Sequence, residues 1–203
     1  MKKIVLSAVA ILAFGFANAQ DSSSYGFSQG NILLEGNLGF ESTNDKNDDT
    51  KTSGFQFNPK VGYFLTDKFA VGVELGIGSA KTEFDGTDVE KESNFNAGVF
   101  GRYYFLDLGQ RFKTYAEAGV GFGSTKEGLD DAEIKATGVR FNAGLGINYF
   151  ISDSFAINFG LTNILAYRSD KVEDFEATSS FEANFNVFNN FFTEPNFGLT
   201  YKF

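Results

Sequence analysis

Ionisable residues that could take part in chemistry recur once in each of six successive segments, with alternating sign along the chain. They are Glu35, Lys60, Glu74, Arg102, Glu117 and Arg140. Each lies near the middle of the polar face of a segment whose other face carries no charge. Opposite charges on neighbouring strands form ion pairs and hydrogen bonds. The pattern predicts a ladder of ion pairs inside the fold, which would fill a narrow interior or, alternatively, provide an ion or proton path.

Catalysis finds little support in the composition. The chain contains no His and no Cys, which removes the usual general base at neutral pH and the thiol nucleophile. The Ser and Asp residues of the polar segments, Asp153 among them, form no recognisable set of nucleophile, base and orienting group. We therefore predict that the protein is not an enzyme and uses no cofactor.

Residues 45–49, Asp-Lys-Asn-Asp-Asp, form an acidic cluster that superficially resembles a calcium-binding loop. The cluster lacks the alternate spacing of oxygen ligands, the central Gly and the closing Glu of an EF-hand. We expect a solvated loop there and no metal site.

Eight extended segments position the charged residues. From Asn31 onward, apolar side chains alternate with polar or small ones, as in strands that have one apolar face. The character of the segments does not change up to Phe203, which indicates one domain. An even number of antiparallel strands of about 10 to 12 residues, apolar on one face, can close and cross a bilayer. The predicted fold is all-β: an eight-stranded antiparallel up-and-down transmembrane β-barrel over residues 31–203.

The N-terminus predicts export. Lys2 and Lys3 precede an uncharged apolar stretch over residues 4–16, and Ala17-Asn18-Ala19 is a small-residue cleavage site. We expect a signal peptide over residues 1–19, cleaved near Ala19, and a flexible polar lead-in over residues 20–30. Removing two Lys and no acid would change the net charge from -9 to -11, so nucleic acid is not an expected partner.

The connections between segments are of two kinds. Thr66-Asp67-Lys68 and Ser152-Asp153-Ser154 are tight turns, whereas residues 41–53, 80–93, 126–135 and 168–180 are longer and net acidic. Short turns toward the periplasm and long polar loops toward the outside are typical of outer-membrane barrels. A tight turn around Asp67 would also make Lys60 and Glu74 direct cross-strand neighbours.

Aromatic residues gather at the ends of the segments that precede or follow the short turns. They are Tyr63, Tyr103, Tyr149, Tyr201 and Phe203. We interpret them as an aromatic belt at the periplasmic interface, where amphipathic rings lie at headgroup depth. The alternative is a recurrent hairpin in a soluble all-β core.

Two features remain open at this point. Residues 181–190 alternate like a strand, yet they would make the last strand far longer than a membrane requires. They would extend the eighth strand above the membrane, pair with residues 163–167, or fold over the barrel mouth. The many strand glycines on the polar faces, such as Gly72 and Gly146, would either permit curvature or leave a void.

The chain resembles, over essentially its whole length, the small outer-membrane β-barrel domain proteins common in Bacteroidota. The resemblance lies in Gly30-Asn31-Ile32-Leu33-Leu34-Glu35-Gly36, Val61-Gly62-Tyr63-Phe64, Gly101-Arg102-Tyr103-Tyr104-Phe105, Tyr115-Ala116-Glu117-Ala118-Gly119-Val120-Gly121 and the ending from Phe197 to Phe203. It implies an outer-membrane location, contact with membrane lipid and lipopolysaccharide, and Phe203 as the signal read by the barrel-assembly machinery. A monomer is expected. The resemblance implies no substrate.

Three functions are compatible with these observations. The leading hypothesis is a non-enzymatic outer-membrane barrel that supports envelope integrity or surface contact through its acidic external loops. The second is a channel for small or apolar solutes, with residues 181–192 as an entrance. The third is a secreted soluble barrel with an apolar ligand inside, which requires the apolar faces to point inward.

Overall fold

The computed structural model describes residues 25–129, 133–184 and 196–203. Nine strands are present in these ranges: β1 (Ile32–Asp45), β2 (Thr50–Phe64), β3 (Phe69–Phe84), β4 (Thr87–Leu108), β5 (Phe112–Glu127), β6 (Ile134–Phe150), β7 (Phe155–Val172), β8 (Thr178–Ala183) and β9 (Asn196–Lys202). No helix in this part of the chain is long and apolar enough to cross a membrane. The predicted signal peptide lies outside the described residues.

The strands close into a barrel. Each strand from β1 to β7 pairs antiparallel with the next, and β9 pairs with both β7 and β1. At the closing seam, the amide of Phe203 donates to the carbonyl of Ile32 (3.0 Å). The predicted eight-stranded antiparallel barrel, formed by β1 to β7 and β9, is therefore confirmed.

The short strand β8 resolves part of the ambiguity about residues 181–190. It pairs antiparallel with the far part of β7, from Leu165 opposite Ala183 to Asp170 opposite Thr178. It lies on the same side of β7 as β9, because β6 occupies the other side. The start of the segment thus continues the edge of the eighth strand, and residues 185–195 lie outside the described residues.

Most of the predicted polar loops are strand extensions, so their predicted boundaries are wrong. β3 and β4 run on to Phe84 and Thr87, and only Asp85 and Gly86 join them. Both turn residues have positive φ (49° and 73°), as a two-residue hairpin turn of type I′ requires. Ser and Thr residues sustain the ladder beyond the apolar positions. We call this the loop end of the barrel; the end with the short turns and Phe203 is the turn end.

The apolar side chains point outward. Val73, Val99 and Val120 are each more than half exposed, whereas Arg102 and Asn148 on the opposite faces are fully buried. A water-soluble barrel would place these side chains the other way round. The hypothesis of a secreted soluble barrel with an apolar interior is therefore wrong.

Some of the strand glycines make room for aromatic rings inside the barrel. A Cβ at Gly146 would overlap the Tyr115 ring, and one at Gly72 would lie 2.7 Å from Phe100 Cε1. At these positions the question left open by the sequence has a clear answer. At Gly146 the Tyr115 ring fills the space, whereas at Gly72 the missing side chain also lets the backbone of β2 at Val61 approach closely.

Val73 tests the outward face directly, because it lies near the middle of the apolar positions of β3. Replacing Val73 by Arg should lower the free energy of unfolding by about 2–4 kcal/mol, the cost of a charge at the bilayer midplane. Urea unfolding of protein refolded into phosphatidylcholine vesicles measures this loss. Ser79→Arg, on the same face of β3 but beyond the apolar residues, should cost no more than about 1 kcal/mol. Equal losses at both positions would contradict the assignment.

Candidate functional site

A buried charge network occupies the lumen near the turn end. Its members come from five consecutive strands, because inward-facing positions recur every second residue. They are Glu35 on β1, Lys60 on β2, Glu74 on β3, Arg102 on β4 and Glu117 on β5. The register places Lys60 opposite both Glu35 and Glu74, and Arg102 opposite Glu117. Five of the six residues of the predicted ladder therefore meet.

Arg102 is the centre of this network and is fully buried. Its two terminal nitrogens donate to the two carboxylate oxygens of Glu35, each at 2.8 Å. Its Nε donates to Glu117 Oε2 at 2.7 Å. A bidentate contact of this kind combines charge with fixed geometry. Glu35 and Arg102 lie on non-adjacent strands, so their pair crosses the lumen.

Lys60 extends the network toward the loop end. Its Nζ lies 2.6 Å from Glu117 Oε1 and 2.9 Å from Glu74 Oε2. The side chains of Lys60 and Glu74 are 21% and 27% exposed, whereas that of Arg102 is 1% exposed. The network is thus shielded from solvent at Arg102 and partly exposed to solvent at its loop-end side.

Polar and aromatic side chains complete the surroundings of Arg102. Thr200 donates to Glu35 Oε2 (3.0 Å), Asn148 Nδ2 donates to Thr200 Oγ1 (3.0 Å), and the Tyr104 hydroxyl donates to Asn148 Oδ1 (2.8 Å). The guanidinium carbon lies 4.0 Å from the centre of the Tyr115 ring, within the range of a cation–π contact. Sequence reasoning missed these residues, although their inward parity was visible.

An aromatic plug seals the turn end of the lumen. Phe27, from the segment that the sequence predicts as a lead-in, stacks on Phe64 with ring centres 4.3 Å apart, and its ring centre lies 5.3 Å from that of Phe150. Lys202 Nζ donates to the carbonyl of Gly26 (2.8 Å), which fastens the segment to β9. No sequence signal identified Phe27, because it stands alone among polar residues.

Arg140, the sixth residue of the predicted ladder, stands apart from the other five. It lies on β6, directly opposite Arg168 of β7. Its Nε is buried and has no hydrogen-bond partner in the described part of the protein. The alternation of sign along the chain placed Arg140 in the ladder, but the stagger of the strands carries it toward the loop end.

The residues of the predicted aromatic belt all lie near the turn end. Tyr63 and Tyr103 point outward and are about half exposed. The ring centre of Tyr149 lies 4.7 Å from that of Phe112. Tyr201 is buried between Phe155 and Phe203, with ring centres 4.8 and 4.5 Å away. Their role as a belt at headgroup depth stays a prediction.

Metal chemistry has no candidate centre in the described ranges. No group of three or more His, Cys, Asp or Glu residues there could hold a metal ion. The loop-end cluster around Asp45 forms a local hydrogen bond within the turn, in which Asp45 Oδ1 accepts from the backbone amide of Asn47 (2.8 Å). The lumen geometry holds charges in fixed pairs between strands.

Comparisons with known proteins agree with this geometry. The family model described as outer membrane protein beta-barrel domain matches residues 6–203. Outer membrane porin F of Pseudomonas fluorescens is 25% identical over 185 residues, which cover 86% of this chain and 54% of that protein. The chain thus spans about half the length of this curated relative.

Two solved structures match over nearly their whole length. The outer membrane protein OprG from Pseudomonas aeruginosa matches with a TM-score of 0.52 and 15% identity, covering 88% of this chain and 98% of that one. Neisserial surface protein A matches with a TM-score of 0.45 and 15% identity, covering 88% and 99%. At these identities the OprG structure supports the barrel architecture alone.

Arg102→Met measures how far the network depends on its central cation. The substitution leaves the Glu35 carboxylate buried without its cation, so the free energy of unfolding should fall by about 3–5 kcal/mol. Lys126→Met removes an ion pair whose side chains are both about half exposed and should cost less than about 1 kcal/mol. Urea unfolding in vesicles measures both.

Adding Glu35→Gln and Glu117→Gln to Arg102→Met should recover part of the loss, because neutral amides cost less to bury than carboxylates. A loss for Arg102→Met as small as that for Lys126→Met would contradict the assigned role.

Proposed function

The chain belongs to the outer membrane protein beta-barrel domain family, and from this membership we propose that it is a non-enzymatic, non-conducting barrel that supports envelope integrity or surface contact through its acidic loop end. The family and the barrel fold support a location in the outer membrane. In this proposal the turn end faces the periplasm and the loop end faces the outside. The chain acts as a membrane-embedded body and not as a pore.

The observation that carries the proposal is the closure of the lumen by two independent layers. The first layer is Arg102 with Glu35 and Glu117, which crosses the lumen from β4 to β1. The second is Phe27, whose ring covers Phe64 and Tyr104 at the turn end. A barrel of about eight strands has an interior just wide enough for side chains to fill. Passage would require both layers to move.

The exposed residues of the loop end support the surface role. The hairpins rise well beyond the apolar positions, and the acids Glu90 and Glu127 lie on the inward faces near the mouth. The strong negative charge of the chain is therefore displayed around the loop-end opening. Such a rim attracts basic partners and repels acidic ones.

Transport of small solutes is the second candidate, favoured by one observation. The partial exposure of Lys60 and Glu74 opens a vestibule from the loop end to about the middle of the barrel. The entrance predicted over residues 181–192 gains no support from Phe181, which pairs with Tyr167 and is exposed. The remaining residues of that entrance, from 185 onward, lie outside the described residues.

Current through planar bilayers separates the two candidates. The purified protein should give no stable single-channel steps, because both layers close the lumen. Glu35→Ala, Arg102→Ala and Phe27→Ala combined should produce measurable conductance, since together they remove the crossing pair and the ring at the turn end while Glu117 keeps its partner Lys60. Phe175→Ala, which truncates a phenylalanine at an exposed position of the loop end, should stay silent. Reproducible open-pore steps of the unmodified protein would overturn the proposal in favour of transport.

A further inference from the structure

Six lysines at the loop end share one face of the sheet. They are Lys51, Lys81, Lys91, Lys126, Lys135 and Lys171. The pairing register places each on the outward face, in line with the apolar residues of its strand. We call this set the lysine girdle. No lysine of the strands occupies an inward position near the loop end in the described part of the chain.

The girdle lies at a constant height. Each lysine is four residues from the nearest outward aromatic or aliphatic residue on its turn-end side, as Lys51 is from Phe55 and Lys171 from Tyr167. Four residues correspond to about 13 Å along a strand, or about 10 Å along the membrane normal at a usual tilt of about 40°. This is the depth of lipid headgroups, just outside the hydrocarbon.

A ring of hydroxyl groups lies between the apolar residues and the girdle. It consists of Ser42, Ser53, Ser79, Ser93, Ser124, Thr137, Ser169 and Ser179. The register pairs them two by two: Ser42 with Ser53, Ser79 with Ser93, Ser124 with Thr137, and Ser169 with Ser179. Hydroxyls followed by ammonium groups form a surface suited to sugars that carry phosphate.

Four lysines of the girdle form two pairs in which like charges lie directly opposite each other. Lys81 lies directly opposite Lys91, and Lys126 directly opposite Lys135. Like charges at directly opposed positions destabilise a sheet. An external anion seated between two such lysines would remove that cost.

The protein's own carboxylates relieve the repulsion only in part. Asp88 lies 2.7 Å from Lys81 Nζ and 3.2 Å from Lys91 Nζ, and Glu83 lies 2.7 Å from Lys81. At the second pair, Glu133 lies 3.2 Å from Lys126. Lys135 makes no ion pair with any residue that the structure describes. Among the described residues, the Lys126 and Lys135 pair therefore has fewer carboxylate partners than the Lys81 and Lys91 pair.

Charge is separated between the two faces of the same hairpins. Glu92 and Glu127 are directly paired on the inward face, beside Ser93 and Lys126 on the outward face. The loop end therefore has an acidic inner face at its mouth and a cationic outer face, although its net charge is negative.

We propose that the lysine girdle binds the phosphate groups of the anionic glycolipid that surrounds the barrel in the outer leaflet, with the hydroxyl ring against its sugars. The inference rests on the proposed placement of the loop end outside, and it is independent of whether the lumen conducts. The Lys126 and Lys135 pair forms the strongest site, because the described residues supply it with one carboxylate.

Native mass spectrometry of the folded protein in detergent, titrated with bisphosphorylated lipid A, tests the site. Lys126→Gln with Lys135→Gln should weaken binding by about 25-fold, because each basic residue at an anionic lipid surface contributes about a fivefold gain in affinity. Lys46→Gln with Lys68→Gln removes the same charge from two exposed lysines outside the girdle, and it should change binding less than about twofold. Heat-dependent mobility on a detergent gel verifies that both variants are folded.

Three further arms fix the chemistry. Lipid A without phosphates should bind the unmodified protein and the Lys126/Lys135 variant equally weakly. Binding of the bisphosphorylated lipid should persist in EDTA, because ammonium groups contact the phosphates without a bridging cation, and in millimolar inorganic phosphate. Equal losses in the two double variants, loss in EDTA, or displacement by inorganic phosphate would each overturn the proposal.

Discussion

The salt bridge between Arg102 and Glu35 is the contact on which the interior of this barrel depends. A buried guanidinium costs several kcal/mol of lost hydration, and only well-placed carboxylates offset it. Here the carboxylates come from β1 and β5, on either side of the strand that carries Arg102. Because β1 and β4 are not neighbours, their pair forms only when the sheet has curved and closed. The network therefore favours the closed barrel over other pairings of similar strands, a specificity role that buried ion pairs have in some proteins.

The same strands carry a second, opposite electrostatic arrangement on their outer faces. Inside and near the turn end, charges are paired and mostly shielded from water; outside, they appear only beyond the apolar positions and are mainly lysines. The alternation of strand side chains makes this possible, since successive residues serve different surroundings. Ser93 and Glu92 illustrate it: the first lies in the outward hydroxyl ring and the second faces the mouth. A protein with a net negative charge can in this way present the positively charged lysine girdle to its surroundings.

Much of the architecture was predictable from sequence because it rests on local rules. Period-two alternation gave the strands, and a tight turn around Asp67 correctly placed Lys60 beside Glu74. Contacts across the lumen were not predictable in this way. The pairing of Arg102 with Glu35 depends on curvature and stagger, which no single hairpin encodes. Arg140 shows the same limit, because its height in the barrel is set by the accumulated register of several strands. The packing of Phe27 was not predicted, because one aromatic residue in a polar segment has no periodicity. The predicted loop boundaries were wrong because Ser and Thr residues occur in strands as well as in turns.

The exchange of the Arg102 Nε proton with water, followed by NMR in lipid nanodiscs, tests the closed lumen most directly. The chain has four arginines, Arg102, Arg111, Arg140 and Arg168, so substituting each in turn assigns its signal. Closure by the Glu35 and Glu117 carboxylates predicts that the Arg102 proton exchanges far more slowly than that of Arg168, whose side chain is 57% exposed. An Arg102 proton that exchanges as fast as the Arg168 proton would mean that water passes through the network, and it would contradict the account.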